Sequence, residues 1–547
     1  MSDDQEKKPA NQENAENDTN GAGTPNNTEK STISDPSGNQ DFEKRETEGL
    51  VETPPERKEK APEVKDIVED EALFKSLQQL PFYHGFLPRE DLRCLLRNDG
   101  DYLIRVSEVT ATKEIKRDLI LSVFECAHPN GPTPGGANIG GNLVADAEAA
   151  KEKGDPRSEG NFEGKLRNMV VRRYNGRFGI EVSLSFETIN DLLQHYHQSN
   201  TSDQKKNRFL RNPVKLHSWE YKHTDIKLGG LLGEGAYGEV RTGILKRKGR
   251  EVEVAVKLMK GGDLNKVKIR EMMKEARLMR GFKHKNVVRF YGVAVDEQPL
   301  YILLELVKGG GLNTYLQKNR KETTFDLMNM CLGAAQGLQY LHANNCIHRD
   351  IAARNCLYSN DRVVKLSDFG LSRIGNAYKL QTSQKLPIKW LAPETITTLF
   401  FTFKTDVYSY GVMCYEIFSE GEEPWDSITN TEAKKNVVSG KHLQIPETCP
   451  EKFRTFIYEK VYVKDPKRRV TMDDIVRFME PVIVEVQAEQ ERVKLEPKST
   501  IAVSTISTVS TVSTYDNTKT RTKKRNPKRT MPVKKMSHPG NHNMIEK

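Results

Sequence analysis

A glycine-rich segment followed by a single lysine predicts a phosphate-binding site in this 547-residue chain. Glycines allow the backbone to approach phosphate closely and to donate N–H groups to it. The pattern GxGxxG also fits a dinucleotide-binding turn or a plain hairpin, but here a strand-like segment ending in lysine follows instead of a helix. The residues predicted to contact the nucleotide are Leu232, Gly233, Glu234, Gly235, Ala236, Tyr237, Gly238, Glu239, Val240 and Lys257.

A carboxylate is needed to hold Lys257 against the phosphates. Residues 269–279 have the apolar spacing of an amphipathic helix, and this helix carries two glutamates. Glu275 is the predicted partner of Lys257, and Glu271, one turn earlier on the same face, is the alternative. Either glutamate would be an ordinary surface charge without a lysine to bind.

The segment IHRDIAARN, residues 347–355, has the composition of a phosphoryl-transfer site. An Asp five residues before an Asn allows Asp350 to accept a hydroxyl proton while Asn355 binds Mg²⁺, or Mn²⁺ in its place. Asp368 begins an Asp-Phe-Gly sequence thirteen residues further on, and its carboxylate would bind the metal that bridges the phosphates. An Ala-Pro-Glu sequence follows at 392–394, and this order of motifs predicts phosphoryl transfer from a nucleotide.

Residues 226–484 resemble the catalytic domain of a protein kinase on these motifs. The resemblance implies a bilobal fold with ATP in the cleft and Mg²⁺ as the metal cofactor. It also implies that Leu304 is the gatekeeper and that Glu305 and Val307 lie in the hinge that contacts ATP.

Two features resemble the tyrosine-specific kinases. Arg354 stands four residues after Asp350, whereas serine/threonine kinases usually carry a lysine two residues after the Asp. The sequence Pro-Ile-Lys-Trp at 387–390 resembles the platform on which a tyrosine side chain lies. The resemblance implies that Arg354 is a catalytic residue and that Tyr378 is the autophosphorylation site; serine/threonine or dual specificity is the alternative.

An arginine within an apolar strand marks the first half of the chain. Arg105 lies in Tyr-Leu-Ile-Arg-Val-Ser, and such an arginine must be paired or bind an anion, since burying it bare costs several kcal/mol. Residues 82–217 resemble an SH2 domain, an antiparallel sheet flanked by two helices. The resemblance implies that Arg105, supported by Arg89 and Ser107, binds phosphotyrosine.

The composition predicts that part of the chain never packs. Hydrophobic residues make up 36% and charged residues 29%, which is too polar for one fully folded globule. The predicted fold class is therefore α+β and multidomain, with disordered termini. Its parts are an acidic disordered segment 1–80, an SH2 domain 82–217 with a long insertion at 128–164, a linker 218–225, a kinase domain 226–484 and a disordered Ser/Thr-rich basic tail 485–547.

An SH2 domain followed directly by a kinase domain resembles the Fes/Fer-type non-receptor tyrosine kinases. The resemblance implies ATP-dependent phosphorylation of protein tyrosines downstream of membrane receptors, with phosphotyrosine-containing proteins as partners. The alternative function is an SH2 adaptor whose kinase domain is only a scaffold. The presence of Lys257, Asp350, Asn355 and Asp368 favours the enzyme.

Charge and apolar patterning predict where the protein acts. The apolar runs are far shorter than the roughly 18 residues of a membrane span. The first ten residues do not have the basic-then-apolar pattern of a signal sequence, and Ser2 stands where myristoylation requires glycine. These features predict a cytoplasmic protein recruited to the inner face of the plasma membrane. The net charge is +9, and the basic cluster at 521–529 is either a solvated tail or in contact with anionic lipid or nucleic acid. Because the motifs are those of a kinase, the predicted partner of the tail is an anionic membrane surface and not nucleic acid.

Overall fold

The structure, a computed structural model, describes residues 70–109, 116–126, 164–181, 183–198, 209–235, 238–259, 265–381 and 386–495. All of them belong to the unit Pro62–Lys547. The predicted acidic segment up to residue 69, nearly all of the predicted insertion 128–164 and the predicted tail from residue 496 lie outside these ranges.

The first described part of the chain, called the N-terminal module below, is a sheet with three helices. Its strands are β1 Asp101–Val109, β2 Lys116–Cys126, β3 Gly164–Tyr174, β4 Arg177–Glu181, β5 Leu184–Phe186 and β6 Asn212–Pro213; its helices are α1 Glu71–Gln79, α2 Leu92–Leu95 and α3 Ile189–Gln198. The strand order is β5-β4-β3-β2-β1-β6, antiparallel except that β6 lies parallel to β1. Residues 101–106 of β1 are all buried, so both faces of the sheet are covered here.

Helix α1 corrects the prediction of disorder through residue 80, which is wrong for residues 71–79. The side chain of Asp70 caps the helix by accepting a hydrogen bond from the N–H of Leu73 at 3.1 Å. Leu77 is fully buried in the core of the module, and Phe74 packs beside it. The apolar residues have helical spacing, but the polar segment before them obscures it in the sequence.

The second part begins with a small lobe, a six-stranded sheet and one long helix. The strands are β7 Glu220–Tyr221, β8 Ile226–Gly235, β9 Gly238–Arg247, β10 Arg250–Met259, β11 Phe290–Ala294 and β12 Leu300–Glu305. Their order is β7-β11-β12-β10-β9-β8, and every pair is antiparallel except β7 with β11. The helix is α4, Lys266–Met279, which is capped by the side chain of Asn265.

The predicted linker 218–225 is part of this sheet and not a free connector. Glu220 pairs with Val293 in the β7–β11 ladder, and the N–H of Val293 donates to the carbonyl of Trp219 at 2.8 Å. Trp219 itself is only 8% exposed. Two residues are too short a strand for periodicity to reveal, so this element depends on the partner strand.

The N-terminal module rests directly on the small lobe at Gly85. The N–H of Phe86 donates to the carbonyl of Val295 at 2.8 Å. Gly85 has φ +54°, and a Cβ there would lie 1.9 Å from the same carbonyl oxygen. Any side chain at this position would therefore push the module away from the lobe.

The large lobe is mostly helical. Its helices are α5 Leu312–Lys318, α6 Thr324–Ala343, α7 Pro393–Thr398, α8 Phe403–Phe418, α9 Asn430–Ser439, α10 Glu451–Phe456 and α11 Met472–Leu495; its short strands are β13 Cys346–Ile347, β14 Cys356–Tyr358, β15 Val364–Leu366, β16 Arg373–Ile374, β17 Ala377–Lys379 and β18 Phe400–Thr402. Leu338 of α6 and Tyr410 of α8 are fully buried in one hydrophobic core, which also contains Phe453. This core supports the loops between the short strands.

Helix α11 continues past residue 484, which corrects the predicted start of the disordered tail. Residues 485–495 consist mainly of Glu, Gln, Lys, Arg, Val and Leu, most of which favour helix. Gln487 donates to Glu491 at 3.1 Å, and Arg492 binds Glu489 at 2.7 Å, which adds local support. The regular spacing of apolar residues becomes weak after residue 484. The sequence alone therefore predicts that α11 ends there, although the helix continues to Leu495.

Candidate active site

Strand β10 and helix α4 bring Lys257 and Glu275 together. The ammonium nitrogen of Lys257 lies 2.9 Å from each carboxylate oxygen of Glu275 and 3.9 Å from Oδ1 of Asp368. Burial raises the pKa of Glu275, and the positive charge of Lys257 opposes that shift. Glu275, rather than the alternative Glu271, is therefore the partner of Lys257.

The glycine-rich hairpin lies beside this ion pair. Strands β8 and β9 meet at Gly235 and Gly238, and Val240 pairs with Lys257 across the β9–β10 ladder. Gly238 has φ +128°, and a Cβ there would lie 2.1 Å from the carbonyl oxygen of Leu258. Glycine is thus required at this position by both conformation and space.

The end of the hairpin carries further predicted nucleotide contacts. Leu232 is 53% exposed, which leaves its side chain available to an apolar ring. Glu234 pairs with Glu239 across the hairpin. Ala236 and Tyr237 lie outside the described residues, so their contacts stay predictions.

Glu305 and Val307 lie where β12 leaves the small lobe. The carboxylate of Glu305 accepts from the N–H of Arg289 at 3.1 Å and binds the ammonium of Lys365 at 3.2 Å. Val307 is 8% exposed, and its carbonyl accepts from the N–H of Gly310 at 3.3 Å. These contacts hold the connection between the lobes, whereas binding of ATP by the two residues stays a prediction.

The predicted catalytic residues of the large lobe form one local cluster. The guanidinium of Arg354 lies 2.6 Å from Oδ1 of Asp350, and the side-chain amide of Asn355 donates to the carbonyl of Asp350 at 2.8 Å. Asp406, only 1% exposed, accepts the N–H groups of His348 and Arg349 at 2.8 and 2.9 Å. A buried carboxylate therefore fixes the backbone just before Asp350.

Asn355 and Asp368 fit the oxygen ligands that Mg²⁺ prefers. Because the Asn355 amide nitrogen donates to Asp350, its oxygen is directed elsewhere and can serve as a ligand. The Asp368 side chain is 42% exposed and lies near Lys257. Within the described residues, no group of three or more His, Cys, Asp or Glu could hold a metal alone, so this pair would need further oxygens from phosphates and water.

Glu416 of α8 is a site residue that the sequence prediction misses. One carboxylate oxygen accepts both the N–H of Ala353, at 2.9 Å, and the indole N–H of Trp390, at 3.0 Å. Glu416 is 3% exposed, and burial raises its pKa to about 7. The guanidinium of Arg354 lies 4.1 Å from the centre of the Trp390 ring, so Glu416 supports both the catalytic loop and this platform.

Tyr378 lies against two arginines. Its ring centre is 4.4 Å from the guanidinium of Arg349 and 5.2 Å from that of Arg373. Burial lowers the pKa of Arg349 to about 10, and the charge of Arg373 lowers it further. Among the described residues, Nε and Nη2 of Arg349 have no hydrogen-bond partner although they are buried. Such a pair of donors is suited to an anion.

Arg105 of the N-terminal module is buried among neutral acceptors. Its guanidinium donates to the hydroxyl of Ser122 and to the amide oxygen of Asn168, both at 3.1 Å, and to the carbonyl of Leu87 at 3.5 Å. Burial lowers the pKa of Arg105 to about 10, and the charge of Arg89 adds to that shift. Three of its five N–H groups are engaged in this way.

The other two residues predicted to bind phosphotyrosine flank Arg105. Ser107 is on the same face of β1, two residues further along the strand. Arg89 begins the short helical turn Arg89–Asp91 and lies close enough for its charge to affect Arg105. Asn168 occupies the place beside Arg105 on β3.

Comparison with known proteins decides the family. Residues 226–479 match the family model described as protein tyrosine and serine/threonine kinase. The chain is 32% identical over 419 residues to Fer-related kinase 1 of Caenorhabditis elegans, a match that covers 74% of this chain and 94% of that protein. The chain belongs to the Fer-related family of protein-tyrosine kinases. The predicted bilobal kinase fold and the predicted resemblance to Fes/Fer-type kinases are confirmed.

Longer relatives match this kinase over part of their length. Human tyrosine-protein kinase Fer is 33% identical over 69% of this chain, and the match covers 41% of the human protein. The transforming protein Fps of avian sarcoma virus strain PRCII is 30% identical over 72% of this chain and 66% of its own. The kinase thus spans less than half of human Fer. Its described residues contain no helix long and apolar enough to cross a membrane.

Proposed function

We propose that this kinase transfers the γ-phosphoryl group of ATP to tyrosine in protein substrates. The observation that carries the proposal is the complete ion pair between Lys257 and Glu275, with Asp368 at its side. This arrangement is what phosphoryl transfer by protein kinases needs. A domain that served only as a scaffold would not require this ion pair, so the adaptor alternative is not favoured.

Each residue of the site has a role in this proposal. Lys257 would neutralise the α- and β-phosphates, and Asp350 would orient the substrate hydroxyl and accept its proton. Asn355 and Asp368 would hold Mg²⁺, which supplies charge neutralisation of the phosphates when bound. Arg354 keeps the carboxylate of Asp350 in place through their contact at 2.6 Å.

The platform made by Trp390 supports specificity for tyrosine over serine and threonine. Arg354 stacks on its ring, and Glu416 holds its indole N–H. Because Arg354 contacts both the Trp390 ring and Asp350, the platform would support a phenol beside the base, whereas a short hydroxyl side chain would not reach across it. Serine/threonine or dual specificity is the alternative that the test must decide.

The test uses the purified full chain with ATP and a tyrosine-containing polymer. Asp350→Asn and Lys257→Met should each lower the turnover rate by about a hundredfold or more, since each removes a charge that acts on the reacting groups. Phosphoamino-acid analysis should find phosphotyrosine alone. Activity retained in both variants would overturn the proposed site, and phosphoserine in the product would overturn the specificity.

Tyr378 is proposed as the autophosphorylation site. A phosphate there would add about two negative charges beside Arg349 and Arg373. The unsatisfied donors of Arg349 support this proposal. Tyr378→Phe should therefore prevent the rise in activity that preincubation with ATP produces, as measured by initial rates before and after incubation.

The N-terminal module is proposed to be an SH2 domain that binds phosphotyrosine-containing proteins through Arg105, Arg89 and Ser107. Support comes from the burial of Arg105 among neutral acceptors, which leaves its charge for a ligand. Arg105→Lys should abolish phosphopeptide binding, because an ammonium cannot reproduce the planar fork of a guanidinium. Unchanged affinity by calorimetry would place the pocket elsewhere.

The proposed place of action is the cytoplasmic face of the plasma membrane. Recruitment would come mainly from the SH2 domain, because its binding is directional and depends on phosphorylation. The predicted basic cluster at 521–529, outside the described residues, would add attraction to anionic lipid. Truncation after residue 498 should weaken membrane association only in part, whereas Arg105→Lys should remove the stimulus-dependent part.

A further inference from the structure

Helix α4 of the kinase domain contacts two acidic residues of the N-terminal module. The guanidinium of Arg270 lies 3.0 Å from Oε1 of Glu90, and that of Arg277 lies 2.9 Å from Oδ2 of Asp91. Glu90 directly follows Arg89, one of the proposed phosphotyrosine ligands. The start of α4 therefore lies beside the proposed pocket.

Lys266 lies one helical turn before Arg270 on α4. It precedes Arg270 by four residues, and residues with this spacing lie on the same face of a helix. Lys266 is exposed, so its ammonium group is accessible to a ligand. Partial burial lowers the pKa of Lys266, and the charges of Arg270, Arg105 and Arg89 lower it further, whereas Glu90 opposes them. Its position one turn before Arg270 places Lys266 on the face of α4 that meets Glu90, next to Arg89.

The charges at this place do not balance among the residues that meet there. Arg105 forms no ion pair with a carboxylate among the described residues, and its three hydrogen bonds go to neutral oxygens. The carboxylate of Glu90 is already bound by Arg270. The negative charge of Glu90 thus acts on Arg270, Lys266 and Arg105 together, so positive charge remains in excess at this place and favours an anionic ligand.

We propose that Lys266 is a ligand of the phosphate group in the phosphotyrosine that the N-terminal module binds. The phosphate would be held jointly by Arg105 of the module and Lys266 of the kinase small lobe, so the binding site is shared between two domains. This inference rests on the proposed phosphotyrosine function of Arg105. A phosphate dianion matches the two cations in sign and supplies the acceptor oxygens for both.

The test measures binding of phenyl phosphate to the full chain, because this probe carries the phosphate and ring without any peptide sequence. A saturating non-hydrolysable ATP analogue blocks the nucleotide site during the titration. Lys266→Ala should weaken binding about tenfold, the usual effect of losing a hydrogen bond between charged groups. Lys266→Arg keeps the positive charge and should stay within about threefold of the wild type.

Lys268→Ala is the matched control. It removes the same charge from the same helix two residues away, which is a different face of α4. It should change the affinity less than twofold. Equal losses in Lys266→Ala and Lys268→Ala would mean that only the net charge of the helix matters, and this result would overturn the inference.

Arg105→Lys separates the inference from the proposed function. If Arg105→Lys abolishes binding while Lys266→Ala binds like the wild type, the phosphotyrosine pocket stands and the role of Lys266 is wrong. If Arg105→Lys leaves binding unchanged, the pocket itself is misplaced and both proposals fall. If Arg105→Lys abolishes binding, Lys266→Ala weakens it about tenfold and Lys268→Ala changes it less than twofold, both proposals are supported.

Discussion

Glu416 shows how one buried side chain can set the geometry of residues that carry the chemistry. Its single oxygen receives the N–H of Ala353 in the catalytic loop and the indole N–H of Trp390. Burial raises the pKa of Glu416 to about 7, from 4.5. The folded protein therefore holds a proton on Glu416 more tightly than the unfolded chain does.

This shift has a testable sign. The stabilisation due to protonated Glu416 is fully present below about pH 4.5 and is lost as pH rises through about 7. Glu416→Gln is neutral at every pH and keeps an oxygen for both donors, so its urea midpoint should not show this decline. The measurement is the difference between wild-type and variant midpoints from pH 5 to pH 8. Parallel pH profiles would show that Glu416 does not titrate in this range.

At the scale of elements, α4 is held on two faces near its C-terminal end. Glu275 binds Lys257 in the active site, while Arg277 makes a two-pronged contact with Asp91 of the N-terminal module at 3.0 and 2.9 Å. Asp91 is 1% exposed. The orientation of Glu275 is thus coupled to an ion pair between domains whose carboxylate is buried.

Arg277→Ala should destabilise the protein by about 3 kcal/mol, because it leaves the carboxylate of Asp91 buried and unpaired. It should also lower kinase activity, since α4 loses a contact that positions Glu275. Arg270→Ala is the control: its ion pair with Glu90 is exposed on both sides, and the expected cost is about 0.5 kcal/mol. Denaturant unfolding and initial rates measure the two effects; equal costs for both variants would contradict the argument from burial.

At the scale of the whole molecule, two histidine–carboxylate pairs tie the module, the connecting strand and the small lobe together. His84 of the module lies 2.7 Å from Glu220 of β7, and His223 lies 2.5 Å from Asp296. The other ring nitrogen of His223 lies 2.8 Å from the carbonyl of Pro299, so both nitrogens face acceptors. This arrangement favours the doubly protonated ring.

The His223 pair predicts a loss of stability at alkaline pH. Burial opposes the charged ring, but the hydrogen bond and charge of Asp296 outweigh burial and raise the pKa of His223. Its contribution is therefore fully present below pH 6.5, the unfolded value, and is lost as pH rises through the folded value. His223→Gln should abolish this part of the decline in thermal midpoint between pH 6 and pH 9. A variant whose midpoint falls as steeply as that of the wild type would show that other groups cause the decline.

The sequence by itself determined the chemistry of this kinase where the functional residues lie close together in the chain. Asp350 and Asn355 are five residues apart and hydrogen-bonded, so the local backbone sets their distance. The tertiary structure decided the contacts between residues far apart. It selected Glu275 over Glu271, which is on the same face one turn away, by the position of Lys257 along the axis of α4.

The contact of Glu416 with Ala353, 63 residues away, and the ion pair of Arg270 with Glu90 likewise arise only in the tertiary structure. No local pattern encodes such contacts, because they depend on how separate elements pack. The same reason explains the short strand β7, which has too few residues to show a period and forms because β11 offers a free edge.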